Sequence, residues 1–106
     1  MLKFSFEKIE GDYLLYALTE NGKKIGGATV KVNHIVKIWY ETDEIEKAYA
    51  EFTTRSVAFV LRDICETVFV DFVDERFRRL GFKEENGIMK ASKNDIVFPG
   101  MACSCN

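Results

Sequence analysis

Few residues in this sequence could support metal or redox chemistry. Cys103 and Cys105 form a Cys-x-Cys pair near the C-terminus, and two such thiolates are possible ligands for a soft metal ion. A closed zinc site needs further ligands, which this segment lacks. His34 is the only histidine, and its position beside Asn33 is typical of a hairpin turn. We therefore expect no metal site, and we interpret the cysteine pair as part of a C-terminal tail.

A basic cluster is the second candidate for a functional site, because it could bind a phosphate or an acidic partner. It consists of Arg76, Arg78, Arg79 and Lys83. Carboxylates surround it in the sequence, at Asp71, Asp74, Glu75, Glu84 and Glu85. Because opposite charges at this spacing pair with one another, the pattern favours a solvated, salt-bridged surface.

Composition narrows the class of protein. A chain of 106 residues, with 47% hydrophobic and 30% charged residues, is expected to fold as one domain. The net charge of -2 and the isoelectric point near 5.4 argue against binding to nucleic acid or to an anionic membrane. No apolar run is long enough to span a bilayer, and the first residues alternate with charge instead of forming a signal peptide. Three cysteines do not form an even disulfide framework, so a cytoplasmic protein is expected.

Hydrophobic periodicity predicts the first half of the chain to be four antiparallel strands. The stretches "LKFSFEKIEG" and "DYLLYALTE" are separated by Gly11-Asp12, and Asn21-Gly22 is a strong hairpin signal before "IGGATVKV". The fourth strand, "IVKIWYE", alternates strictly, which would place Ile35, Lys37 and Trp39 on one face.

The period changes at Glu41 to that of an amphipathic helix. Apolar residues recur at helical spacing from Asp43 to Ile64, and Asp43 with Glu46 resembles a capping box. An alternative is a second helix that starts at Thr53.

The rest of the chain is predicted to form a strand, a short helix and two closing strands. "ETVFVDFV" reads as a buried strand, "DERFRRL" as a short helix closed by Gly81, and "GIMKAS" and "DIVFP" as closing strands. Residues 1–98 form the predicted domain, and residues 99–106 the tail. The fold class is α+β, a mixed and mostly antiparallel sheet with a long and a short helix.

This order of elements resembles the GNAT superfamily of acyl-CoA N-acyltransferases. "ENGKKIGGATVKV" is similar to the family's second and third strands, and "RFRRLGFKEENGIMK" to its ending, in which a helix runs into Leu-Gly-Phe. The resemblance implies acetyl-CoA as acyl donor and a small-molecule or protein amine as acceptor. It implies that Ile38, Trp39 and Tyr40 contact the pantetheine arm. Glu41, at the end of the fourth strand, is a candidate base, and the alternative is that it belongs to a solvated acidic corner that caps the helix.

Two features depart from the family. The stretch "ETDEIEKAYAEF" has no glycine and is acidic where a phosphate-binding loop is expected. If a helix began at Thr53, then Thr53, Thr54 and Arg55 could bind the phosphates instead. Phe77 occupies the position of a tyrosine that often serves the family as general acid, and we interpret it as a core residue.

The sequence therefore leaves two hypotheses. One is an N-acetyltransferase, with weakened or lost activity as a possibility. The other is a noncatalytic module of the same fold that binds a partner or forms a dimer, so that both a monomer and a homodimer stay open.

Overall fold

The structure is a computed structural model, and it describes residues 1–98. Within these residues, seven strands and two helices follow one another. They are β1 Leu2–Glu10, β2 Tyr13–Glu20, β3 Lys23–Lys31, β4 His34–Tyr40, α1 Asp43–Ile64, β5 Thr67–Val70, α2 Glu75–Arg78, β6 Lys83–Glu85 and β7 Ile88–Ser92. No helix among the described residues is long and apolar enough to cross a membrane.

All seven strands join in one sheet, in the order β1-β2-β3-β4-β5-β7-β6. The first four form the predicted antiparallel meander. β5 runs parallel to β4 after the crossover through α1, and β7 and β6 complete the sheet in antiparallel pairing. The predicted fold class, a mixed and mostly antiparallel sheet with one long and one short helix, is confirmed.

Asparagine-glycine turns account for two of the hairpins. Asn21 and Gly22 have φ angles of 53° and 87°, the left-handed pair that a two-residue hairpin turn requires. Asn86 and Gly87 repeat this geometry, at 56° and 83°, between β6 and β7. The second hairpin was not predicted, because all three residues of β6 are charged and exposed and resemble a loop.

The helix α1 is continuous over the predicted range, so the alternative start at Thr53 is wrong. Its buried stripe comprises Ala50, Thr53, Thr54, Val57, Ala58 and Leu61. This stripe packs on apolar side chains of the sheet, including Val30 and Ile35, which are fully buried. The predicted N-cap at Asp43 is also wrong. Thr42 is the N-cap, because its backbone is extended and its hydroxyl accepts a hydrogen bond from Ile45 N at 3.2 Å.

A β-bulge changes the faces of β4. Thr29 pairs with Lys37, but the next residue of β3, Val30, pairs with Ile35, so Val36 is an extra residue. Ile35 therefore lies on the helix-covered face with Val30, whereas Lys37 and Trp39 lie on the opposite face. The strict alternation expected from the sequence is wrong at this point.

The chain after β5 closes the core. Phe77 of α2 is fully buried and packs edge-to-face on Phe72 and Phe82, which confirms its interpretation as a core residue. The predicted strand over "DIVFP" is wrong: the part that the structure describes has no regular structure, and Val97 N donates to Leu80 O at 2.8 Å. The predicted tail at 99–106, including Cys103 and Cys105, lies outside the described residues.

Candidate functional site

The strands β4 and β5 separate soon after they meet. They pair over two positions, His34 with Phe69 and Ile35 with Val70, and the last bond runs from Asp71 N to Ile35 O at 3.0 Å. β4 then continues from Val36 to Tyr40, where β3 is its only neighbouring strand in the described part of the chain. We call the space beside residues 36–40 of β4 the splay.

The splay presents strand backbone without a partner strand. Ile38, Trp39 and Tyr40 pair with β3 through Ala28, Gly27 and Gly26, and no strand among residues 1–98 pairs with their other edge. Backbone N–H and C=O groups require partners, and an extended ligand can supply them as an added strand would. This edge can therefore bind an extended chain that contains amide groups.

Two glycines of β3 position the aromatic residues at the end of β4. A Cβ atom on Gly27 would lie 2.5 Å from Tyr16 O and 2.9 Å from Trp39 Nε1. A Cβ atom on Gly26 would lie 2.7 Å from Trp39 O. All three distances are too short for a side chain, so the Gly-Gly pair allows Trp39 to lie close against β3.

The Tyr40 side chain turns toward α1 and is the most perturbed ionisable group near the splay. Its pKa is raised to about 12, chiefly by burial; a hydrogen bond with Thr53 and the charge of Arg76 act to lower it, while the charges of Glu46 and Asp74 act to raise it. Its hydroxyl is buried without a well-formed hydrogen bond to a described residue. The neighbouring Thr53 hydroxyl donates instead to Tyr49 O, at 2.9 Å. Tyr40 is therefore protonated at neutral pH.

An ion-pair network lies beside Tyr40. Arg76 of α2 pairs with Asp74 at 3.0 Å and with Glu46 of α1 at 3.4 Å. The Asp74 carboxylate also caps α2, because it accepts a hydrogen bond from Arg76 N at 2.9 Å. The network ties both helices together. The sequence indicated only a solvated basic surface for Arg76, because its partner Glu46 lies 30 positions away.

The other arginines of the basic cluster fit that sequence interpretation. Arg78 pairs with Glu75 at 2.8 Å and with Glu84 at 3.0 Å, and Arg79 pairs with Glu51 of α1. The basic cluster therefore offers no arginine free of a carboxylate.

The N-terminus of α1 carries negative charge. Asp43, Glu44 and Glu46 lie in its first turn, where they interact favourably with the helix dipole. Glu41, the predicted base, is exposed just before the helix, and its carboxylate lies 3.6 Å from Lys23 Nζ. Because carboxylates already occupy this helix end, the residues here do not fit a pyrophosphate in the way a glycine-rich loop would.

The predicted phosphate ligands at Thr53, Thr54 and Arg55 have no helix end to support them. Thr53 and Thr54 are buried within α1, and the Thr54 hydroxyl donates to Ala50 O at 3.0 Å. Arg55 lies one residue further along the helix and lines a separate cavity on its flank. Their placement therefore gives no support to a phosphate site at these positions.

His34 closes the base of the splay. Its Nδ1 atom lies 2.7 Å from the Asp71 carboxylate, and its ring stacks on Phe69 at 4.6 Å between centroids. The pair joins the start of β4 to the end of β5. The sequence could not indicate it, because Asp71 is 37 positions away. Among residues 1–98, no three side chains of metal-binding type are grouped so that they could hold a metal ion.

Comparison with known proteins agrees with this topology. No protein-family model matches the sequence, and no curated protein matches it. A GCN5-related N-acetyltransferase from Rhodopseudomonas palustris superposes with a TM-score of 0.60 at 19% identity, covering 76% of this chain. The ribosomal-protein-S18-alanine N-acetyltransferase from Escherichia coli superposes with a TM-score of 0.63 at 18% identity, covering 87%. The chain has the GNAT fold.

The likeness extends to the fold alone, because the identities are low. This GNAT-fold chain spans 61% of the length of the Rhodopseudomonas protein and 74% of the Escherichia protein. In this chain, β1 and β2 are joined directly by a tight turn at Gly11.

Proposed function

We propose that this chain is a GNAT-fold N-acyltransferase that transfers an acetyl group from acetyl-CoA to an amine. The observation that carries the proposal is the splay, where no strand within residues 1–98 pairs with residues 36–40 of β4 on the β5 side. The pantetheine arm of an acyl-CoA is an extended chain with two amides, so its groups suit a free strand edge. The two neighbours of the same fold are N-acetyltransferases, which supports the same reaction class.

The chain's own residues take separate roles in this proposal. The backbone of Ile38, Trp39 and Tyr40 holds the donor along the splay. A bound acyl-CoA would supply the thioester carbonyl: the acceptor amine would form a C–N bond as the C–S bond breaks, and coenzyme A would leave as its thiolate and take a proton from solvent. Glu41 accepts the proton that the amine loses, directly or through water, because its carboxylate is exposed at the end of the same strand.

The same site favours weak donor binding. The acidic first turn of α1 opposes the phosphates of coenzyme A, and Phe77 is buried and cannot donate a proton to the leaving thiolate. These two observations support a second candidate, a noncatalytic module of the same fold that binds a partner or dimerises. The two candidates differ in whether the splay binds an acyl-CoA.

Calorimetric titration with acetyl-CoA, and separately with desacetyl coenzyme A, tests the proposal. We expect binding that strengthens by about threefold to tenfold in the double variant Asp43→Asn, Glu44→Gln, because two repulsive charges are removed. The matched control is Glu66→Gln, a solvent-exposed carboxylate beyond the other end of α1. No heat at millimolar ligand, in the wild type and in the double variant, would leave the noncatalytic module as the function.

Turnover with a panel of primary amines tests the role of Glu41. We expect Glu41→Gln to lower kcat by at least about tenfold, with little change in acetyl-CoA affinity, because a positioned base contributes to proton removal. The control is Lys23→Gln, which removes the ion-pair partner of Glu41 but keeps the carboxylate. Equal turnover of Glu41→Gln and the wild type would exclude Glu41 as the base.

A further inference from the structure

A cavity of about 400 Å³ lies on the flank of α1 that faces β1. Its lining residues are Phe4, Phe52, Arg55, Ser56, Phe59, Val60 and Phe98. We call this cavity the phenylalanine groove. None of the lining residues belongs to β4, β5 or α2, so the groove is separate from the splay. Its volume is in the range of small-molecule sites.

The groove leaves large aromatic side chains in contact with water. Phe52 and Phe59, both on α1, are 39% and 48% exposed, and Phe59 packs edge-to-face on Phe98 at 5.7 Å. Aromatic side chains gain much free energy when they are buried, so several of them grouped around one open cavity indicate a binding surface. An apolar ligand would cover them.

Two arginines of α1 are placed at this groove. Arg55 is part of its lining, and the Arg62 guanidinium lies 5.6 Å from the centre of the Phe98 ring. They are seven residues apart, two helical turns, and therefore lie on the same side of α1. Neither forms an ion pair with a residue in the range 1–98, whereas Arg76, Arg78 and Arg79 all do. The groove therefore combines an apolar lining with positive charge that no described carboxylate neutralises.

We propose that the phenylalanine groove binds a small amphipathic carboxylate of the medium-chain fatty acid class. The hydrocarbon chain lies among the phenylalanine rings, and the carboxylate pairs with Arg55, whose guanidinium matches its two oxygens. Arg62 adds positive charge two turns further along. The chemistry selects an anion with an apolar chain, because a cationic or uncharged amphiphile would leave the guanidinium groups without a counter-charge. This inference does not depend on acyl transfer at the splay.

The first experiment titrates the full-length, isotope-labelled chain with decanoate, followed by nuclear magnetic resonance of its backbone amides. Decanol and decylamine are titrated in parallel, all below the concentration at which micelles form. We expect chemical-shift changes in the segment 52–62 and at Phe98, with little change at the Trp39 indole on the opposite face of the sheet. We expect decanoate to bind about tenfold more tightly than decanol.

Three variants test the named residues. Arg55→Gln removes the charge, and we expect it to weaken decanoate binding by about threefold to tenfold while decanol binding is unchanged. Phe59→Ala is expected to weaken the binding of both decanoate and decanol, because it removes an aromatic ring from the lining of the groove. Arg78→Gln is the matched control, since Arg78 pairs with Glu75 and Glu84 away from the groove. Thermal unfolding verifies that each variant is folded.

Several outcomes would overturn the inference. They are no decanoate binding to the full chain at millimolar concentration, equal affinity for decanol and decanoate, or an Arg55→Gln variant that binds decanoate as the wild type does. Shift changes of the same residues with protein concentration, in the absence of ligand, would assign the groove to a second copy of the chain.

Discussion

At the scale of single residues, Tyr40 shows how burial near the splay changes the pKa and the hydrogen bonding of a side chain. Its ring packs toward α1, where its hydroxyl is buried without a well-formed hydrogen bond to a described residue. A buried hydroxyl that lacks a partner costs free energy, and the same burial is the main cause of the raised pKa of Tyr40. Removing the Tyr40 hydroxyl is therefore expected to change the free energy of unfolding.

We expect Tyr40→Phe to raise the free energy of unfolding by about 1 kcal/mol at neutral pH, because it removes an unsatisfied polar atom. Chemical denaturation measures this change. A loss of stability in Tyr40→Phe would show instead that the hydroxyl has a partner, for which Thr53 is the nearest candidate.

The same variant has an expected pH dependence. The folded pKa of Tyr40, about 12, is above the value of 10.0 for an unperturbed tyrosine. Its proton is therefore held more tightly in the folded state, and stability falls as the pH rises from about 10 to 12. Tyr40→Phe should lose less stability over this range. Tyr16, Tyr49 and Cys65 also have raised pKa values, so the relevant quantity is the difference between variant and wild type.

At the scale of elements, the N-terminal turn of α1 sets the charge near the splay. The helix begins after Thr42, and its first turn is filled by carboxylates instead of glycines. These groups stabilise the helix through its dipole, but they also repel an anionic ligand. The same carboxylates therefore raise the stability of the helix and weaken the binding of a phosphate.

We expect Thr42→Ala to lower the free energy of unfolding by about 1 kcal/mol, because it removes the hydrogen bond that caps the helix. Asp43→Asn keeps this cap and reduces only the dipole interaction, so we expect a smaller loss, about 0.5 kcal/mol. Urea denaturation of both variants distinguishes the residues. A larger loss in Asp43→Asn would restore Asp43 as the cap.

At the scale of the whole molecule, one hydrophobic core holds the sheet and both helices together. Helix α1 covers one face of the sheet, and α2 joins the same core through Phe77. Residues 96–98 have no regular structure but also cover this core. Ile96 and Phe98 are buried, whereas Val97 between them is 52% exposed. The segment therefore contributes to stability through side-chain burial.

We expect Ile96→Ala to lower the free energy of unfolding by about 2–4 kcal/mol, because it leaves a cavity in the core. Val97→Ala changes an adjacent and exposed side chain, and we expect a loss below about 0.5 kcal/mol. Thermal or urea unfolding compares the two. Similar losses in both variants would mean that the segment is not docked as described.

Elements whose signals are local could be predicted from the sequence alone. Asn21-Gly22 predicts its hairpin from backbone preference alone, and the amphipathic period predicts α1 over the range that is observed. The order of elements was enough for the fold class and for the resemblance to GNAT proteins. Turn geometry and helix amphipathicity are properties of neighbouring residues, which is why the sequence suffices for them.

Features that join distant residues became visible in the three-dimensional structure. The bulge at Val36 depends on register with β3, and the charged strand β6 forms because β7 offers it a partner. The ion pairs of Arg76, and the position of Arg55 at the phenylalanine groove away from the carboxylates of residues 1–98, likewise depend on packing between elements. Contacts between residues far apart in the chain follow from register and packing, which no local pattern specifies.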